Sequence, residues 1–197
     1  MPLLETPEIA QRAPAKGRIL ETANTLFYQD GILNVGVDRI IAQSSVTKAT
    51  FYKHYRSKDN LILEYVKGRR AATELQASSI IEKAAAPRDA VLALFESVAG
   101  ELTKTDFRGC PFLNVVAEFP DNTHPVRVLI ADHRDWFNET LYDLMREAGH
   151  PFAGDAADEL MLAKDGALAG GYAGDTIAAG AAMSRVVRRV LADANAS

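Results

Sequence analysis

One short stretch of the sequence concentrates hydroxyl, amine and phenol groups that suit contacts with nucleic acid. Thr47 can cap a helix, and Lys48 can reach a phosphate or the edge of a guanine. Ala49 is small enough to let that helix approach a groove closely, and Thr50 offers a hydroxyl to a base and a methyl group to thymine. Tyr52 can donate a hydrogen bond to a phosphate oxygen. The stretch therefore predicts a short helix that contacts duplex DNA.

Neighbouring residues add cationic groups and an imidazole to the predicted contact with DNA. His54 can bind a phosphate oxygen, and Lys58 places a charge at the start of the following helix. Taken alone, a basic helix with threonines is more typical of a solvated surface, and a tyrosine such as Tyr52 is more typical of a half-buried core position. The prediction of a DNA contact depends on the occurrence of the cap, the lysine, the threonine and the aromatic residues together, each at its own position in one short helix. The expected DNA-contacting set is Arg39, Thr47, Lys48, Ala49, Thr50, Tyr52, Lys53, His54 and Lys58.

The apolar spacing around this stretch predicts the helices that position it. Apolar residues recur at three- and four-residue intervals between Ile19 and Phe27, as in an amphipathic helix. Ser57 is placed to cap a long fourth helix, and Phe51 and Tyr55 should pack on the first. This order of short helices is typical of a helix-turn-helix unit. The predicted helices cover residues 15–29, 37–44, 47–55 and 57–81.

The remaining sequence also follows a helical pattern. No stretch alternates apolar and polar residues as a strand does, and no internal repeat is present, so the predicted fold class is all-α. Residues 1–14 contain three prolines and lack apolar periodicity, which predicts a flexible arm. The further helices are predicted over residues 87–104, 112–118, 125–148, 155–172 and 175–192.

Charge is distributed unevenly along the chain. Residues 15–70 hold ten lysines and arginines against five acidic residues, a surplus of +5. Since the net charge of the chain is −4, the rest carries −9, which indicates a basic module that meets polyanions and an acidic body that does not. An accidental distribution of surface charge is the alternative.

Several function classes are disfavoured by the same sequence. No apolar run suits a membrane span or a secretory signal, and the single cysteine, Cys110, fits a reducing compartment, so we expect a cytoplasmic protein. The glycines of GALAGGYAG follow no strand, and Cys110 has no recognisable histidine partner, which argues against an enzyme. The histidines lack the spacing of metal ligands, so neither a metal site nor a cofactor is predicted.

The stretch GILNVGVDRIIAQSSVTKATFYKHYRSKDNLI resembles the DNA-binding signature of TetR-type regulators, and GCPFLNVVAEFPD resembles a segment of their effector domains. Ser45 stands where glycine is usual in the turn, Ile41 where alanine is common, and Ala49 where glycine is frequent. Serine in a left-handed turn costs about 1 kcal/mol, which the turn can tolerate. Base specificity cannot be carried over from the family.

The resemblance implies a homodimeric repressor that binds a palindromic operator in double-stranded DNA and is released by an unknown small molecule. It implies a helix-turn-helix domain over residues 15–60 and a helical effector-binding and dimerisation domain over residues 61–197, connected by the helix that begins near residue 57. A transcriptional activator, or a DNA-binding protein without a ligand, is the alternative.

Two groups of residues in the acidic domain are assigned roles in ligand binding and in dimerisation. Aromatic and polar residues that could line an effector pocket are Phe95, Phe112, Asn114, His133, Trp136, Phe137, Tyr142, Met161 and Tyr172, although each taken singly is more typical of core. Small residues let helices approach closely, which predicts a four-helix interface between subunits; close packing inside one subunit is the alternative. The predicted interface residues are Ala167, Gly170, Gly171, Ala178, Ala182 and Val186.

Overall fold

The computed structural model describes residues 14–194, which form nine α-helices and no strand. The all-α class is therefore confirmed, whereas the predicted arm lies, except for residue 14, outside the described residues. None of these helices is long and apolar enough to cross a bilayer. The helices are α1 (Ala15–Asp30), α2 (Val37–Gln43), α3 (Lys48–Tyr55), α4 (Lys58–Lys83), α5 (Pro87–Leu102), α6 (Pro111–Glu118), α7 (Pro125–Glu147), α8 (Ala153–Ala173) and α9 (Thr176–Asp193).

Side-chain caps define where the predicted DNA-contacting helices begin. The Thr47 hydroxyl accepts a hydrogen bond from the backbone N–H of Thr50 at 3.1 Å, at the start of α3. The Ser57 hydroxyl accepts one from the N–H of Asn60 at 3.1 Å, at the start of α4. Both predicted caps are confirmed, because each satisfies an N–H that has no partner within its helix.

The first four helices share an aromatic and aliphatic core. Phe51 and Tyr55 of α3 are buried, as predicted, together with Ile19 of α1. The rings of Phe27 and Tyr65 meet edge to face with centroids 5.5 Å apart, which joins α1 to α4. The helix that carries the predicted DNA contacts therefore rests on α1, and α1 rests on α4.

Glycines bring α8 and α9 close to α5. These two helices are joined by residues 174–175 and pack together. A Cβ atom on Gly171 would lie 2.8 Å from Leu102 Cδ2, and one on Gly180 would lie 3.3 Å from Leu102 Cδ1. Gly171 and Ala167 are thus buried inside the protomer, which corrects their assignment to a subunit interface: their small size serves packing within the chain.

The segment before α6 binds the C-terminal end of α1. The Tyr28 hydroxyl donates to the carbonyl of Gly109 at 3.0 Å and accepts from the N–H of Arg108 at 2.8 Å. The Gln29 amide donates to the carbonyl of Asp106 at 3.0 Å. Burial raises the pKa of Tyr28, so its hydroxyl keeps the proton that it donates.

The last residue of α6 caps the loop that follows α1. The Glu118 carboxylate accepts hydrogen bonds from the N–H groups of Ile32 at 2.9 Å and Leu33 at 2.6 Å. Gly31, with a φ of +85°, turns the chain so that these N–H groups converge on the carboxylate. On the other side of the loop, Lys58 donates to the carbonyl of Ile32 at 2.6 Å. The loop between α1 and α2 is therefore held by both α4 and α6.

We expect Glu118→Ala to lower the free energy of unfolding by about 1–3 kcal/mol, because it leaves two backbone N–H groups without their charged acceptor. Denaturant titration monitored by circular dichroism measures the change. The matched variant Glu96→Ala removes an exposed carboxylate from the middle of α5 and should cost less than about 0.5 kcal/mol. Equal losses in the two variants would contradict the capping role.

Candidate nucleic-acid interface

The two faces of α3 differ sharply in chemistry. Phe51 and Tyr55 face the core and are buried, whereas Tyr52 is 42% exposed. The remaining predicted contacts on this helix and its cap follow the outer face: Thr47, Lys48, Ala49, Lys53 and His54 are exposed, and Thr50 is half-buried. The helix thus presents hydroxyl, ammonium, imidazole and phenol groups to solvent while its aromatic side fixes it to the protein.

The N-terminal turn of α3 suits an approach to DNA. Its first backbone N–H groups have no acceptor within the helix and carry the positive end of the helix dipole. The hydroxyls of Thr47 and Thr50 lie 2.8 Å apart and share a hydrogen bond. Lys48 lies 3.6 Å from Asp38 in an ion pair that is exposed on both sides, so a phosphate or a guanine can replace the carboxylate at little cost.

Residues of α1 hold both ends of α3. Arg18 donates to the carbonyls of Ser44 at 3.1 Å and Ser45 at 3.3 Å, in the turn before α3. At the other end, the Tyr55 hydroxyl donates to the carbonyl of Lys16 at 2.8 Å. Burial, with the nearby charge of Glu64, raises the pKa of Tyr55 to about 12, so this donor stays protonated.

One residue in the turn before α3 has the left-handed backbone conformation, which glycine adopts most easily. Ser45 has a φ of 52°, and its neighbour Ser44 is buried with its hydroxyl donating to the carbonyl of Ile40 at 2.7 Å. These contacts and those of Arg18 offset the cost of serine at this position. Sequence reasoning did not identify Arg18, because a cation in the first turn of α1 gives no local sign of a partner 26 residues away.

Two predicted DNA-contacting cations are bound within the protein. Lys58 is half-buried and donates to the Ile32 carbonyl, so its ammonium faces inward; this corrects its assignment as an outward phosphate contact. Burial lowers the pKa of Lys58, and the charge of Glu118 partly opposes that shift. Arg39 forms an ion pair with Asp30 at 2.6 Å but remains 45% exposed, so phosphate can still reach it.

A basic cleft beside the end of α3 was not anticipated. It has a volume of about 350 Å³. Glu64 is its one acidic lining residue and already pairs with Lys67 at 2.9 Å, which leaves a surplus of positive charge. Lysines and arginines clustered on one face are typical of phosphate contacts. The lining residues are Lys16, His54, Tyr55, Arg56, Asn60, Leu63, Glu64 and Lys67.

A second, larger cavity lies among α4, α5, α7, α8 and the segment that leads into α6. Its volume is about 370 Å³, within the range of small-molecule sites. Three residues assigned to an effector pocket line it, namely Phe112, His133 and Phe137. Burial lowers the pKa of His133, a shift that its 3.5 Å contact with Glu74 opposes.

Six other residues assigned to that pocket lie outside the cavity lining. Phe95 and Met161 are buried in the core, and the Asn114 amide donates to the carbonyl of Arg108 at 2.8 Å. Trp136 stacks on His133 with centroids 5.6 Å apart, behind the cavity wall. The remaining two are exposed tyrosines that lie under arginines: Tyr142 under Arg146 and Tyr172 under Arg108.

Most residues assigned to a subunit interface lie on the surface of α8 and α9. Gly170, Ala178 and Ala182 are exposed, and Val186 is half-buried. Large apolar side chains lie on the same two helices: Leu162 is 72% exposed and Ile177 is 83% exposed.

In the part of the chain that the structure describes, no group of three or more His, Cys, Asp and Glu residues could hold a metal ion.

Comparison with known proteins agrees with this geometry. The family described as bacterial regulatory proteins, tetR family, matches residues 19–65, which contain α2, α3 and most of α1. A curated relative, the HTH-type transcriptional regulator LmrA of Bacillus subtilis (strain 168), is 23% identical over 125 residues. That match covers 62% of this chain and 66% of the relative, so the chain spans slightly less than two thirds of it.

Solved structures extend the similarity to nearly the whole chain. A regulator of the TetR type from Streptomyces avermitilis is 27% identical with a TM-score of 0.81, covering 93% of this chain and 99% of that one. A TetR-family transcriptional regulator from Streptomyces coelicolor is 37% identical with a TM-score of 0.88, covering 91% of this chain and 95% of that one. The chain therefore belongs to the TetR family of DNA-binding transcriptional regulators.

Proposed function

We propose that this protein is a ligand-responsive repressor, which binds a palindromic operator as a homodimer and leaves it when a small molecule occupies the cavity. Membership of a non-enzymatic family of DNA-binding regulators already excludes the enzymatic alternatives. The observation that carries the proposal is the two-sided α3, whose polar face is exposed while its aromatic face is buried against α1.

The proposed DNA contact places α3 in the major groove. Lys48 and Thr50 near its N-terminus would reach base edges, and Tyr52 would bind a phosphate on one side of the groove. The basic cleft that contains Lys16 and Arg56 would take phosphates on the flanking backbone. The contacts that hold Arg18 and Tyr55 to their partners keep α3 rigid, which lowers the entropy lost on binding.

The proposed dimer joins the exposed face of α8 and α9 to the same face of a second subunit. Leu162 and Ile177 expose large apolar surfaces there, and exposed apolar patches of this kind mark interaction sites. The neighbouring small residues let four helices pack closely across a two-fold axis. Two copies of α3 would then enter successive major grooves about 34–36 Å apart.

The proposed release depends on a segment shared by the cavity and α1. Gly109 and Asp106 line the cavity, and their carbonyls accept hydrogen bonds from Tyr28 and Gln29 of α1. A ligand that binds better when this segment is displaced would move α1, and with it α3. The change in operator affinity can be no larger than the ligand's differential affinity for the two arrangements. The long α4 follows α3 directly in the chain and also lines the cavity, so it is a second element through which a ligand could move α3.

We expect Lys48→Ala and Tyr52→Ala each to weaken operator binding by about fivefold or more, because each contact with a base or phosphate is worth about 1–3 kcal/mol. The operator is first selected from a random DNA pool, and affinity is measured by gel shift at fixed salt. Lys83→Ala removes the same charge from the exposed end of α4 and serves as the control. Unchanged affinity in both α3 variants would refute the proposed interface.

Ile177→Asp should convert the dimer to monomers, because it buries a charge in the proposed interface. Size-exclusion chromatography with light scattering measures the mass, and the monomer should bind the palindromic operator far more weakly. Leu75→Asp, on an α4 side chain that is 73% exposed, is the control and should leave the mass unchanged. A wild-type monomer would refute the proposed dimer, and a dimer that survives Ile177→Asp would place the interface elsewhere.

A further inference from the structure

The cavity wall contains a guanidinium that no described carboxylate neutralises. The guanidinium belongs to Arg69, whose Nε atom is buried and has no hydrogen-bond partner among the residues that the structure describes. The guanidinium carbon lies 5.2 Å from the ring centre of Tyr28 and 5.6 Å from that of Tyr65, so two aromatic rings lie against it. Within residues 14–194 no carboxylate lies within 4.0 Å of it, whereas its neighbour Arg70 pairs with Glu74 at 2.6 Å.

A second cation in the cavity wall is only partly neutralised. The Lys164 side chain is 14% exposed, and its ammonium lies 2.8 Å from Asp165. That carboxylate is shared with Arg134, whose guanidinium lies 2.7 Å from its other oxygen. Burial raises the pKa of Asp165, but the Arg134 hydrogen bond and the Lys164 charge outweigh this and hold it below its usual value. One ionised carboxylate therefore faces two cations.

The acidic residues of the cavity lie on its solvent side. Glu101 and Asp106 are both exposed, and Glu101 already pairs with Lys104 at 2.7 Å. His133 adds no charge near neutral pH, because burial lowers its pKa. The deeper part of the cavity therefore has a positive surplus centred on Arg69 and Lys164.

The rest of the lining is suited to an apolar body. Aromatic and aliphatic side chains form a large part of it, and two of its polar groups, Gln76 and Ser97, satisfy each other through a 2.8 Å hydrogen bond. A ligand with an apolar body fits this part of the wall, and its strongest polar partner is Arg69. The apolar lining residues include Ile80, Leu94, Val98, Phe107, Phe112, Phe137 and Leu168.

We propose that the effector is an apolar organic anion, a carboxylate on an aromatic or aliphatic body, whose anionic group pairs with Arg69. This inference rests on the proposed ligand response and adds its chemical class. A guanidinium binds a carboxylate through parallel, charge-assisted hydrogen bonds, which are stronger where water is excluded. Because Arg69 also stacks on Tyr28, a ligand that draws it away acts directly on the contact between α1 and the Gly109 segment.

The test compares acids with neutral molecules of the same shape. Calorimetric titration of the full chain without DNA uses 1-naphthaleneacetate against 1-naphthaleneacetamide, and octanoate against octanamide. In at least one pair the acid should bind wild-type protein about tenfold more tightly, as expected for one charge-assisted contact. Arg69→Met should abolish this preference and leave the amide's affinity within about twofold, since the apolar lining remains. Arg70→Met removes an adjacent charge outside the cavity and should keep the preference.

Equal affinity of acid and amide in both pairs, failure of all four compounds to bind, or a preference that persists in Arg69→Met would each overturn the anion assignment. If Arg69→Met does not fold, the wild-type comparison alone decides, and Arg69→Lys should retain part of the preference. Since no DNA is present, these outcomes are separate from the proposed repressor function, which the gel-shift and chromatography experiments on the α3 and α9 variants test.

Discussion

The position of α3 depends on the way α1 holds both of its ends. Arg18 fixes the turn that precedes α3, and Tyr55 fixes its C-terminal end to the carbonyl of Lys16. A helix of eight residues is too short to be stable alone, so its shape and direction come from these contacts and from its buried aromatic face. The proposed DNA contacts of its outer face depend on α1, which holds that face in place.

The same helix α1 receives contacts from the cavity side of the molecule. Tyr28 binds the segment that lines the cavity, and Glu118 caps the loop that follows α1. Both are polar contacts beside a packed core, so the proposed displacement of the segment would break hydrogen bonds rather than deform the core. Arg69 lies against Tyr28 at this junction, which places a cation without a carboxylate partner among residues 14–194 where the two parts of the proposed switch meet.

Local signals allowed the helices and the outer face of α3 to be predicted. The caps Thr47 and Ser57 and the spacing of Phe51 and Tyr55 act within a few residues, so the sequence displays them directly. Lys58 was assigned outward because its partner, the Ile32 carbonyl, lies 26 residues away and leaves no local trace. The role of Gly171 could not be predicted for a different reason: close packing inside a chain and close packing across an interface both require a small residue.

The most direct test of the central claim is a methylation interference experiment on the selected operator. Major-groove insertion of α3 from two subunits predicts that methylation at guanine N7 blocks binding in two clusters about 10 base pairs apart, related by the symmetry of the site. Interference at adenine N3 of the minor groove alone, or a single cluster of N7 positions, would contradict it.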